Sequence, residues 1–192
     1  MSDPVILAFD TSAAHCAAAL LCGEKILATR TEEMGRGQAE RLFPLLEEVL
    51  AEAGTTWADL NAIGVGVGPG NFTGIRISVA SARGLSLALK IPAIGVSTFD
   101  VIALDSADLP AVPGPRGQVY IRRVEPELVD ASEILAPLAY PPAPSELAVA
   151  IARCAHGILT DGKTVAAPAP LYVKPADAAP SRDAPPVILD DA

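Results

Sequence analysis

The stretch Gly66-Val67-Gly68-Pro69-Gly70-Asn71-Phe72-Thr73-Gly74-Ile75-Arg76 is where this sequence comes nearest to chemistry. Glycines closing a strand allow positive φ and leave backbone N–H groups uncovered, and a helix that follows aims its positive end at the same spot. Gly68, Gly70, Thr73 and Gly74 are therefore candidates for holding a phosphate or carboxylate, while Thr73 can alternatively cap the helix. No Gly-Lys-Ser/Thr closes the loop as a Walker loop requires, and its glycine spacing misses GxGxxG. On spacing alone, an anion site and a tight strand-to-helix turn without ligand both stay open.

Asp10 ends the apolar run Val5-Ile6-Leu7-Ala8-Phe9 and is followed by Thr11-Ser12. A carboxylate there can position a hydrated magnesium ion beside a nucleotide phosphate. The plainer reading, slightly preferred, is that Asp10 bonds the backbone of the Thr11-Ser12 turn. The two histidines, His15 and His156, are far apart in sequence and form no HxxxH or HExxH pair, so a zinc or iron site lacks ligands. No serine lies in GxSxG, and neither Cys16 nor Cys154 has a histidine in a recognisable signature. The expectation is no catalytic residue and no metal ligand. The three cysteines, Cys16, Cys22 and Cys154, show no CxxC spacing and read as small buried hydrophobes.

The elements that must position these residues alternate. Val5 to Phe9, ending at Asp10-Thr11-Ser12, reads as a buried strand, His15 to Cys22 as a second and Lys25 to Thr31 as a third, with Gly23-Glu24 as a hairpin turn. From Gln38 to Ala53 the period becomes helical, with Leu42, Leu45, Leu46, Val49 and Leu50 on one face and Gly54 closing it. Pro44 must begin the regular part of that helix or kink it. Ala62 to Gly68 is a strand, about 73 to 89 a second helix, Ala93 to Val96 a strand, and Ser97-Thr98-Phe99-Asp100 a cap opening a third helix. The order βββαβαβα over residues 4–107 predicts an α/β fold with a mixed sheet and helices on its faces.

Beyond Leu109 proline becomes frequent, and only Gly117 to Val124 reads as a strand and Ser145 to Leu159 as a helix. The organisation expected is a first lobe over 1–108, a reduced second lobe over 109–167 and a Pro/Ala-rich tail over 168–192. On the second helix Gly74, Ser78 and Ala82, and also Ser81, Gly84 and Ala88, form rows of small residues. Such rows suit either a neighbouring helix or the chain's own sheet.

Hydrophobic residues make up 51% of the 192 and charged residues 19%, enough for a sizeable core, and the net charge is −9. An acidic chain is repelled by phosphate backbones, so any RNA contact should belong mainly to a more basic partner. Apolar blocks stop well short of the ~20 residues of a membrane helix. The N-terminus has no signal-peptide pattern, so no membrane association and a cytosolic location are expected.

Four segments, Ile6–Ser12, Gln38–Leu50, Gly68–Arg76 and Ile94–Thr98, resemble the TsaB (YeaZ) family of the ASKHA (actin-like ATPase) superfamily in sequence and order, and GPGxFTGxR is specific to it. The resemblance covers nearly all of residues 4–100. It implies an RNase-H-like lobe and a non-catalytic role beside TsaD, the subunit that transfers threonylcarbamoyl to a tRNA adenosine, with the ATPase TsaE as third member. It also implies docking through the first two helices, with Leu42, Leu45, Leu46, Val49, Ile75, Ser78 and Ala82 as interface candidates, and a possible homodimer through the same helices. No cofactor is implied for this subunit, ATP and metal belonging to its partners, and tRNA is met only within the complex. In the second lobe Arg116-Gly117-Gln118-Val119-Tyr120 resembles a family strand, although Gly114-Pro115 stands where Asp-Ala is expected. Pro170-Leu171-Tyr172-Val173 resembles the family's closing segment.

Overall fold

The computed structural model describes residues 3–162 and 165–173. β1 (Val5–Asp10), β2 (His15–Cys22) and β3 (Lys25–Glu33) form an antiparallel meander. β4 (Ala62–Gly66) and β5 (Ala93–Val96) add to it in parallel, giving the order β3-β2-β1-β4-β5 with β1 central. With α1 (Gln38–Glu52), α2 (Phe72–Leu89) and α3 (Thr98–Asp105) between and after them, this is the βββαβαβα lobe with an RNase-H-like strand order that the sequence predicts.

Alternation along β1 divides the core. Leu7 and Phe9 face α1, whose Leu42, Leu45, Leu46 and Val49 are fully buried; Ile6 and Ala8 face the opposite side. α1 is also clamped to β3 by Arg41, whose guanidinium donates to Glu32 at 2.8 Å and to Glu48 at 2.8 Å. The fork holds both carboxyls below the usual carboxylate range. Trp57, on the short turn between α1 and β4, is half-buried and packs on this same side. α1 starts at Gln38 and runs through Pro44, which is exposed, so the proline does not begin it. Asn71 caps α2 by accepting from the Gly74 N–H at 2.9 Å, and Thr73 does not take that role. Ser97 and Asp100 cap α3 reciprocally, as the sequence suggests.

The far side of the sheet is covered by α4 (Pro144–Thr160), through Leu147, Ile151, Ala152 and Ala155. This helix lies within the 109–167 stretch read as the second lobe, yet its apolar stripe completes the first lobe's core. Small residues allow the approach: a Cβ on Gly64 would lie 3.1 Å from the Cβ atoms of both Ala155 and Ala8.

The second lobe has more strand than its sequence suggests. β6 (Leu109–Pro113), β7 (Gln118–Arg122), β8 (Pro126–Asp130) and β9 (Leu138–Ala139) form a sheet in the order β8-β7-β6-β9. β6 escapes the reading because Pro110 and Pro113 cannot donate to a ladder. Its pairing with β9 is only Leu109 with Leu138 and Pro110 with Ala139, so few donors are missed. β8 likewise begins on a proline. The tail from 168 runs beside the first lobe as far as 173, with the Leu171 N–H donating to the Val67 carbonyl at 2.8 Å. The rest of the expected tail, 174–192, lies outside the described residues.

Candidate functional site

The C-terminal edges of β1 and β4 bring the Asp10-Thr11-Ser12 turn against the loop 66–74. Asp10 is fully buried. Its Oδ1 accepts three bonds, from the Ser12 N–H at 2.9 Å, the Ser12 hydroxyl at 2.8 Å and His15 Nε2 at 2.8 Å. Its Oδ2 has no partner among the described residues. The Oδ1 side of the carboxylate is thus turned onto its own turn, as in the plainer of the two readings, and Oδ2 lies against Gly66. His15, at the head of β2, is the residue the sequence left as structural. The geometry makes it, with the Ser12 hydroxyl, one of two side-chain partners of Asp10 Oδ1.

The glycine loop is fastened to this turn. The Asn71 N–H donates to the Ser12 carbonyl at 2.6 Å, and the Thr11 hydroxyl donates to the Gly74 carbonyl at 2.7 Å. At Gly70 a Cβ would collide with the Ser12 carbonyl, and at Gly74 with that of Thr11. These glycines are required by close backbone approach, and Asn71 has already taken the Gly74 amide. Gly68 adopts φ +96 ahead of a cis bond to Pro69. Of the five residues proposed for an anion loop, Asp10, Gly68, Gly70, Thr73 and Gly74, the structure brings all together. It spends Asp10, Gly70 and Gly74 on joining two turns, and Thr73 alone is exposed.

The seven interface candidates need correction. Leu42, Leu45, Leu46, Val49, Ile75, Ser78 and Ala82 are each 1% exposed or less, buried against the chain's own sheet. The Ser78 hydroxyl donates to the Ile75 and Gly66 carbonyls at 3.1 and 3.2 Å, so this small-residue row is internal. The outward faces of α1 and α2 are instead built from residues the apolar periodicity passed over. Phe43 is 42% exposed, Phe72 39% and Leu87 82%. Glu40 and Glu47 are exposed on α1, and Arg76 and Arg83 on α2, followed by Lys90 at its C-cap. Of the second small row, Gly84 and Ala88 are exposed. Arg76 lies over the Phe72 ring at 5.2 Å, and Phe72 stacks on Tyr172 with centroids 4.9 Å apart. The signal for these positions was the complement of the apolar stripe.

The two lobes enclose a cleft of about 1170 Å³ whose lining includes His15, Arg36, Phe72, Tyr120 and Tyr140. Two of the three thiols, Cys16 and Cys154, are partly or wholly buried. Burial pushes Cys16 up to about 11, with Glu32 adding to it, and burial also pushes Cys154 up to about 11, so both are protonated at neutral pH. No group of three or more potential metal ligands occurs among the described residues.

A family model described as "TsaD: tRNA N6-adenosine threonylcarbamoyltransferase" matches residues 25–148. The "tRNA threonylcarbamoyladenosine biosynthesis protein TsaB" of Buchnera aphidicola subsp. Schizaphis graminum is 40% identical over 127 residues, 62% of this chain and 60% of that protein. The Escherichia coli K12 protein of the same name is 35% identical over 122 residues, 60% of this chain and 52% of that one. The match thus spans less than two thirds of these curated relatives. Among solved structures, "YeaZ from Pseudomonas aeruginosa" superposes with a TM-score of 0.69 at 26% identity, over 88% of this chain and 99% of that one. A second Pseudomonas aeruginosa protein, described as similar to peptidase YEAZ, gives 0.76 at 24%, over 89% and 100%. With the GPGxFTGxR loop, the RNase-H-like strand order and these matches in agreement, the chain belongs to the TsaB (YeaZ) family, within the wider TsaD-related group that the family model describes.

Proposed function

We propose that this chain is a non-catalytic subunit supporting the formation of N6-threonylcarbamoyladenosine at position 37 of tRNAs, docked on a TsaD-like catalytic subunit with a TsaE-like ATPase joining the pair. The observation that carries it is the outward face of α1 and α2, where Phe43 and Leu87 leave apolar surface uncovered on a chain related to TsaB proteins. Acidic α1 and basic α2 edges flank that surface and would fix the register of a partner. The inward turn of Asp10 supports leaving ATP and metal to the partner subunits. A net charge of −9 supports contact with tRNA only through the complex. The same face can pair with a second copy when the partner is absent. A cytoplasmic location accords with this role.

The test is co-purification with the cognate TsaD-like protein and reconstituted tRNA modification, comparing the unmodified chain with a Phe43→Asp, Leu87→Asp variant. Both positions are exposed, so the variant should keep its circular dichroism and thermal midpoint while losing the partner and the modification. Modification by the other two subunits without this chain would sink the reading. The second reading is a small ATPase or small-molecule kinase of the actin-like fold, using Asp10 and the 68–74 loop; it requires turnover by this chain alone with Mg-ATP, and no nucleotide binding at millimolar Mg-ATP would dismiss it.

A further inference from the structure

We propose that the groove between the second half of α2 and the segment 165–168 is a docking site for an acidic, apolar segment of another protein, bound in extended form. The groove encloses about 710 Å³, with Arg83, Leu87, Lys90 and Ile91 on one side and Val165 and Pro168 on the other. Arg83 and Lys90 are both exposed, and neither side chain makes an ion pair among the described residues. By contrast Arg30, Arg41, Arg122 and Arg123 are each paired with a carboxylate of this chain. On a molecule with a net charge of −9, two unpaired cations in one groove are a local reversal of sign that attracts acidic groups. Leu87 stands between them and is 82% exposed, so the cations flank bare apolar surface. Spacings of four and three residues bring all three to one side of the helix.

Lys90 adds an independent sign of a role beyond the fold. It holds φ +57 and ψ +37 at the C-cap of α2, backbone that glycine adopts freely and a lysine adopts at a cost. Beyond α1 and α4 the same left-handed turn is made by glycines, Gly54 at φ +63 and Gly162 at φ +66. At the end of α2 a strained residue instead keeps an ammonium group on the groove. The spacing of the cations sets that of the ligand. From Arg83 to Lys90 the helix rises about 10 Å, which an extended chain covers in three steps of about 3.3 Å. The segment that fits carries two carboxylates three positions apart with apolar residues between them. The groove shares only Leu87 with the docking face described above, and the inference does not depend on that reading.

The test is fluorescence anisotropy of a dye-labelled Ser-Asp-Leu-Leu-Asp-Ser peptide titrated with the full chain. Saturable binding that weakens as salt rises is expected, and the peptide with Asn for both Asp should bind about fivefold more weakly or worse. Lys90→Gly should weaken binding about two- to fivefold, the range of one exposed ion pair, while raising the thermal midpoint through relief of the left-handed strain. Opposite signs in one variant separate a lost contact from a lost fold. Arg83→Glu combined with Lys90→Glu should weaken binding about tenfold or more by adding repulsion. Phe43→Asp should leave the affinity unchanged, so this result stands whether or not the α1 face docks a partner. Equal affinity for the neutral peptide or indifference to Lys90→Gly would overturn the proposal. So would self-association that blocks the peptide and vanishes with Arg83→Glu, since a second copy is then the occupant.

Discussion

Gly74 shows how much a single missing side chain organises. The first turn of α2 sits against the Thr11 carbonyl, and that contact locks the glycine loop to the turn carrying Asp10. Gly74→Ala inserts a methyl where backbone must move, which overpacking data place at about 1–3 kcal/mol. The variant should lose that stability in urea unfolding, whereas Gly84→Ala, with open space around it, should gain a few tenths up to about 1 kcal/mol from helix propensity. Equal effects at the two positions would refute the packing account. GPGxFTGxR is on this view chiefly an internal joint. A motif spelled in glycines reads the same whether the approaching atom belongs to a ligand or to the protein's own backbone, which is why spacing alone left both possibilities open.

At the scale of elements, α3 is tied to the second lobe by Arg122 of β7, which donates to Asp100 at 2.7 Å. Burial alone would raise the Asp100 carboxyl, but the Ser97 hydroxyl and the Arg122 guanidinium outweigh it and hold it below its ordinary value. A carboxyl lowered on folding contributes stability above the unfolded value of about 4, and that stability is lost as pH falls through the folded value. The thermal midpoint of the unmodified chain should therefore exceed that of Asp100→Asn at neutral pH, and the two should converge below about pH 4. A constant gap down to pH 3 would contradict this. The first lobe was legible because β1, β2 and β4 are largely apolar runs and α1 keeps a strict stripe from Leu42 to Leu50. The second lobe was not, because β6 carries two prolines and pairs too briefly with β9 to need what they lack. The outward faces of α1 and α2 escape the reading for a related reason: periodicity finds the buried side of a helix, while Phe43 and Leu87 stand on the other side.

Across the whole molecule, the chain's last described turn returns to its middle. Tyr172 stacks on Phe72, and Leu171 bonds the strand-to-loop junction at Val67. Tyr172→Ala should cost about 0.5–1.5 kcal/mol beyond lost area and raise amide hydrogen exchange at Leu171 while leaving β1–β3 unchanged; uniform change across the sheet would refute a local role. The placement of Trp57 carries a different consequence. It is the chain's single tryptophan, packed on the α1 side of the first sheet, while Tyr120, Tyr140 and Tyr172 all lie in the second lobe, the cleft wall or the returning segment. Tryptophan emission recorded on an unlabelled sample therefore follows the α1 side of the first lobe alone, while the tyrosine signal mixes Tyr120 and Tyr140 of the second lobe with Tyr172 against α2, and Tyr172→Phe leaves a tyrosine signal that follows the second lobe.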